Sequence, residues 1–219
     1  MMDCIKTHKK FLGLYLILML LCYISEYYGS TYFYILKPFL VTSLLAYYVV
    51  KSRPQSRLII VGLIFALLGD VFLLIPYDDM FLMGLSSFLV MHIFYILYFR
   101  MQRLDTKPFQ WLVFVAILII GFLSYTLFKP YLGKLSMPVS LYILVICYMV
   151  CSAVLRNTEL KGYWMVVTGA FLFLVSDFLL AYRKFVDDSF LNSEAVLITY
   201  AFAQLFIVLG LLENNKLKP

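Results

Sequence analysis

Charge is what this chain has least of: 14% of its 219 residues are Asp, Glu, Lys or Arg, while 64% are hydrophobic. A soluble protein carries roughly 25% charged residues, so a soluble globular class is excluded and an integral membrane protein is implied. Histidine is scarcer still. His8 and His92 are the two present, which rules out a His-based metal cluster. No Gly-x-Ser-x-Gly elbow, His-Glu-x-x-His pair or phosphate-cradling Gly-rich loop occurs. The cysteines Cys4, Cys22, Cys147 and Cys151 form no disulfide framework. Three of them lie in apolar segments and read as small buried hydrophobes. The pI is near 9.0, but no basic-aromatic pattern points to nucleic acid. The basic residues sit in short connections, where membrane topology accounts for them.

What the chain has is a succession of apolar runs, each near the roughly 20 residues a membrane span needs. These predict an all-α polytopic membrane protein with eight transmembrane helices, near 10–27, 32–50, 58–75, 81–99, 110–128, 137–155, 162–181 and 194–212. They form one membrane domain over 1–219. Pro54, Pro76, Pro108 and Pro130 fall in the expected connections. Lys6, Lys9 and Lys10 precede the first run, but no small-x-small cleavage site follows it, so it reads as an uncleaved span. Thirteen Lys and Arg fall on the side of the termini and four on the other, which places both termini in the cytoplasm. The segments 76–80 and 182–193 then face outward. The expected location is the cell membrane, or the inner membrane where a host has two.

Asp70 and Asp177 stand inside apolar runs, each eight residues after a glycine: Gly62 to Asp70 and Gly169 to Asp177. A carboxylate at membrane depth needs a partner, a cavity or a proton. With the predicted helix ends, both lie roughly 6–8 Å inside the outer boundary. The matched segments are 107 residues apart and are consistent with two four-helix units in tandem, related by an axis along the membrane normal. Such an axis brings the two aspartates to face one cavity open to the outer side. They are read as an acid/base or ion-coordinating pair, or else as helix-packing hydrogen bonds. Two close carboxyls do not both ionise cheaply, so such a pair offers an acid and a base together.

Other polar side chains converge on the same half. Lys37 suits a lipid phosphate or an Asp, or snorkels to the interface. Its neighbour Pro38 removes a backbone donor. His92, with Tyr95 one turn on, suits a proton relay or phosphate contact, or a packing hydrogen bond. Tyr200 and Gln204, at i and i+4, are headgroup donors or polar glue between helices.

At these residues the chain resembles the YhhN family of membrane lysoplasmalogenases. The resemblance runs through Lys37-Pro38, Gly69-Asp70-Val71-Phe72 and Phe81 to Tyr95 with His92. It continues through Pro138 and Tyr142, Ser176-Asp177-Phe178, and Tyr200 with Gln204. It implies hydrolysis of the vinyl ether of a lysoplasmalogen to a fatty aldehyde and glycerophosphoethanolamine or glycerophosphocholine. It implies Asp70 and Asp177 as catalytic residues, with Lys37, His92, Tyr95, Tyr200 and Gln204 around the substrate. The partners are then a lysophospholipid and membrane lipid, with no metal or organic cofactor called for. The chemistry agrees with the residues, because a vinyl ether hydrolyses by proton transfer to carbon and a carboxyl pair supplies acid and base. Alternatives from other classes are a proton-coupled transporter, a lipid-binding membrane protein, or a hydrolase of another lysolipid.

Overall fold

A computed structural model describes residues 2–103, 107–187 and 193–215, with side chains described from Thr7 to Glu213 within those ranges. The regular elements among them are helical: α1 Met2–Tyr27, α2 Phe33–Lys51, α3 Arg57–Leu73 and α4 Asp78–Arg100, then α5 Pro108–Leu132, α6 Ser136–Val154, α7 Tyr163–Phe185 and α8 Ser193–Asn215. A single 3-10 turn, Gly133–Leu135, joins α5 to α6. Six stretches are long and apolar enough to cross a membrane: Thr7–Tyr27, Phe33–Lys51, Asp78–Arg100, Pro108–Val154, Tyr163–Phe185 and Ser193–Glu213. The fourth contains both α5 and α6, and α3, at 17 residues, is not among them. In hydrocarbon every backbone group has to be bonded within the segment, which is why apolar runs of this length become helices. Leu14, Leu112 and Phe122 point outward, while Asp70, His92 and Gln204 are buried. Apolar side chains thus cover the outer faces as well as the core, which suits a hydrocarbon surround.

The helix ends depart from expectation in three places. Helix α1 begins eight residues before Lys10, and His8 on it is buried against Tyr47 (2.6 Å) and Glu213 (3.2 Å). Helix α5 runs through Pro130 and stops at Gly133, whose φ of 48° is left-handed. A proline forfeits one backbone bond, but glycine in that conformation ends the helix. Helix α7 continues to Phe185, so Arg183 and Lys184 belong to its last turn and not to a loop. Lys184 is held there by Asp78 at the start of α4, 2.8 Å away. Asp177 therefore lies two turns from the end of α7, whereas Asp70 lies one turn from the end of α3. The two are not at equal depth measured from their helix ends, because α7 overhangs. Residues 104–106 of the predicted inner loop, 188–192 of the predicted outer loop, and Lys216 and Lys218 lie outside the described residues.

Helix packing follows a matched pattern. Helix α3 lies along α4, and α7 along α8, with the most extensive contacts in the molecule. Helix α2 adjoins α3 as α6 adjoins α7, and α1 adjoins α2 as α5 adjoins α6. Across the two halves, α2 meets α8 and α4 meets α6. The glycine before each aspartate now has a physical reason. A Cβ on Gly62 would lie 2.8 Å from the Tyr95 ring of α4, and one on Gly169 would lie 2.7 Å from the Ala203 carbonyl of α8. Absence of a side chain lets each Asp-bearing helix press against its neighbour, as small residues do in membrane packing generally.

The end opposite the aspartates is stitched by complementary polar groups. Gln110 Nε2 donates to the carbonyls of Val154 (2.5 Å) and Arg156 (3.1 Å), and Arg156 Nε donates to Gln102 Oε1 (2.8 Å). Burial pulls the Arg156 guanidinium down to about 10, and it lies over the Phe99 ring at 5.4 Å.

Candidate functional site

Five helices supply the centre of the site. Asp70 on α3 is 1% exposed, and Tyr200 on α8 donates its hydroxyl to Asp70 Oδ2 at 2.9 Å. Asp177 on α7 has a side chain 13% exposed, and Tyr142 on α6 donates to its Oδ2 in a short hydrogen bond. His92 on α4 places Nε2 3.5 Å from the same carboxylate oxygen and 3.2 Å from the Tyr142 oxygen. The Tyr142 proton is committed to Asp177, so Nε2 is placed to donate toward that pair, while the buried Nδ1 has no hydrogen-bond partner. The Phe173 ring stands edge-on between the two clusters, 4.8 Å from His92 and 5.4 Å from Tyr200, centroid to centroid.

Both aspartates line one cavity of about 540 Å³, together with Lys37, Tyr200, Glu26 and Arg183. The Lys37 ammonium lies 5.7 Å from the Phe33 ring centre, and its charge acts on Asp70. The structure thus brings Asp70, Asp177, Lys37 and Tyr200 to one space, with His92 directly behind Asp177. Tyr95 and Gln204 are placed differently. Tyr95 donates to Gln204 Oε1 at 2.8 Å, and Gln204 Nε2 lies 3.3 Å from Met91 Sδ. Both are fully buried and pin α4 to α8 beside the cavity instead of lining it.

Three residues at the site carry no role in the sequence-based reading. Tyr142 stands four residues after Pro138 on a strongly apolar helix, with nothing local to separate it from seventeen other tyrosines. Glu26 lies at the end of the first apolar run, where a charge reads simply as the close of a span. Arg183 counts as a loop charge if α7 stops at 181. In each case a helix end or a distant contact supplies the missing signal.

The surroundings of the two aspartates correspond. Each receives a group from the last helix of the other half, Tyr200 for Asp70 and His92 for Asp177. Each has a polar residue from the second helix of its own half nearby, Lys37 for Asp70 and Tyr142 for Asp177. His92 and Tyr200 are 108 residues apart, within one residue of the aspartate spacing. Among the described residues, no group of three or more His, Cys, Asp or Glu is placed to hold a metal ion.

Fold and site together define an all-helical membrane protein with two carboxyls sunk among its helices in a shared polar cavity. The chain belongs to the YhhN family, which it matches over residues 32–211. It is similar to a human protein named lysoplasmalogenase TMEM86A, with 31% identity over 171 residues covering 75% of this chain and 69% of that one. The bovine protein of the same name is 30% identical over 175 residues, with the same coverage of 75% and 69%. A Mycobacterium tuberculosis protein named lysoplasmalogenase is 30% identical over 165 residues, covering 71% of this chain and 60% of that one. No solved structure matches the chain.

Proposed function

We propose that the protein is a lysoplasmalogenase: a membrane hydrolase that cleaves the vinyl ether of a lysoplasmalogen to a fatty aldehyde and a glycerophospho-alcohol. The observation that carries this reading is the pair Asp70 and Asp177 on the wall of one cavity, each fixed by a tyrosine hydroxyl. Membership of the YhhN family and the named relatives support it.

The reaction follows from the groups present. One carboxyl in its protonated form gives its proton to the vinyl carbon, leaving an oxocarbenium ion. The other, as carboxylate, stabilises that cation and takes a proton from water as the water adds. The hemiacetal then collapses, one proton moving to the leaving glycerol oxygen, and the net reactants are the lipid and one water. Tyr142 and Tyr200 hold the carboxyls in place. Lys37 and Arg183, on the same wall, suit the lipid phosphate.

In the same reading the chain forms one domain over 1–219 whose eight helices all cross the bilayer, arranged as two four-helix units in tandem. Both termini lie in the cytoplasm and the cavity opens outward. The excess of Lys and Arg on the side of the termini supports that orientation. The matched packing of the two halves supports the tandem units.

The test is aldehyde release by the purified protein in detergent from lysoplasmalogens, with saturated-ether and ester lysolipids as controls. Release confined to the vinyl ether is expected. No release from any lysoplasmalogen would remove the assignment and bring proton-coupled transport forward, which requires a sealed membrane. Single-cysteine labelling from each side checks the orientation, and outside labelling of the 100–109 loop would contradict it.

A further inference from the structure

Asp177 borders two cavities of opposite character. On one side is the polar cavity with Lys37 and Asp70. On the other is an apolar cavity of about 630 Å³ among α4, α5, α6 and α7, walled by side chains such as Leu85, Phe128, Val139 and Ile146. The hydroxyls on its wall are already bonded: Ser124 donates to the Ile120 carbonyl of its own helix, and Tyr142 to Asp177. The two cavities share Leu73, Phe88, Asp177 and Leu180, so they meet along one line, and Asp177 is the ionisable group on it.

The wall of the apolar cavity toward α5 and α6 has a second face. Gly121 and Ile143, with Cys147, also line a groove on the α5–α6 face about 650 Å³ in extent. Leu118, Phe122 and Leu144 on that groove are 51%, 66% and 66% exposed. In a chain of this composition that exposure is to hydrocarbon. At the neck a Cβ on Gly121 would lie 2.7 Å from Cys147 Sγ. The glycine and the sulfur are therefore in contact and the neck is closed, so a side chain at Gly121 has to intrude on the cavity or part the two helices.

We propose that the apolar cavity holds the hydrocarbon chain of a single-chain lipid, and that Gly121, Ile143 and Cys147 form a closed neck between α5 and α6 that ends it on the bilayer side. The occupant is argued from polarity on both sides. A cavity without free polar groups takes hydrocarbon, and the charged space it joins takes a phosphate headgroup. The bond between chain and headgroup of one lipid then lies at Asp177. The placement of that bond rests on the lysoplasmalogenase reading; the hydrocarbon site does not. Gly121 and Ile143 become determinants of chain length.

The experiment measures affinity for saturated alkyl-ether lysophospholipids of graded chain length, which have no vinyl ether to hydrolyse. In the parent, affinity referred to the free aqueous lipid monomer should rise by roughly fourfold for each methylene the cavity accepts. Gly121→Leu and Ile143→Phe, approaching the neck from the two helices, should end that rise at shorter chains. The ratio of long-chain to short-chain affinity should fall at least about 10-fold, because each methylene kept out of the cavity forfeits its burial. Parallel aldehyde release from lysoplasmalogens of the same lengths should show the same fall in the kcat/KM ratio. An unchanged ratio in the folded variants overturns the proposal, and so does an affinity independent of chain length in the parent, which needs no variant. Should Gly121→Leu fail to fold, Ile143→Phe reads the same neck. A shifted affinity ratio with no aldehyde from any lysoplasmalogen retires the hydrolase reading and keeps the hydrocarbon site. Aldehyde release with an unchanged ratio does the reverse.

Discussion

Asp70 and Asp177 occupy corresponding positions and differ in what surrounds them. Asp70 is sealed, held by Tyr200, and faces the polar cavity alone. Asp177 is more open, is contacted by both Tyr142 and His92, and stands where polar and apolar cavities meet. The packing of neighbouring helices corresponds between α1–α4 and α5–α8, although α1 also meets α8 and α5 also meets α7 without counterparts, and the chemistry laid on it does not correspond. Lysine beside one carboxyl is replaced by tyrosine beside the other, and tyrosine across from one by histidine across from the other. In the proposed mechanism this difference gives the two carboxyls separate work: Asp177 nearer the reacting bond, Asp70 nearer the headgroup and water.

The largest expected effects fall on the aspartates themselves. Asp177→Asn and Asp70→Asn should each lower the rate of aldehyde release by at least about 10²-fold, a usual acid/base contribution, with Asp177→Asn the more severe. Both should fold, since an amide avoids the cost of a buried charge, and melting temperature checks this. Equal losses would erase the distinction between the two carboxyls and leave only the shared cavity.

Next come the tyrosines. Tyr142→Phe removes a hydrogen bond to a charged group, a change worth about 1.5–3 kcal/mol, so kcat should fall roughly 10-fold or more by that magnitude. Tyr200→Phe should fall by less, because Asp70 is sealed and stays fixed by its surroundings when one hydrogen bond is lost, whereas Asp177 is more open. The reverse ranking, in kinetics on purified variants, would exchange the roles of the two aspartates.

Lys37→Met tests the headgroup side. It should raise KM about 10-fold, the order of one charge-assisted contact, and leave most of kcat. A fall in kcat at constant KM would move Lys37 from substrate binding to the chemistry of Asp70. The smallest effect on turnover is expected from Gln204→Leu. It leaves the Tyr95 hydroxyl buried without its acceptor and costs about 1–3 kcal/mol of stability, read as a lower melting temperature with kcat largely kept.

Much of this was legible in the sequence because hydrocarbon leaves few options. Apolar runs gave the helices, and the aspartates stood out as charges in such runs. The glycine eight residues before each was visible as a pattern, and its cause, the close approach of α4 and α8, needed coordinates. Pro130 misled because a proline near a helix end costs one bond without ending the helix, while Gly133 does end it. Tyr142 was not legible as a ligand of Asp177, since 35 residues separate them and the contact is made only by packing α6 on α7. Gln204 shows the opposite failure: a polar residue at the right depth whose partner, Tyr95, turns it away from the cavity.

The most direct measurement is a double-mutant cycle on the purified protein, comparing aldehyde release by the parent, Asp70→Asn, Asp177→Asn and the double variant. Two carboxyls acting on one bond work as a unit, and the losses of such groups are far from additive. The predicted result is that each single change costs at least about 10²-fold and the double change little more than the worse single one, with melting temperatures close to the parent's. A folded single variant that keeps more than about half of the parent rate, below any acid/base contribution, would contradict the two-carboxylate account.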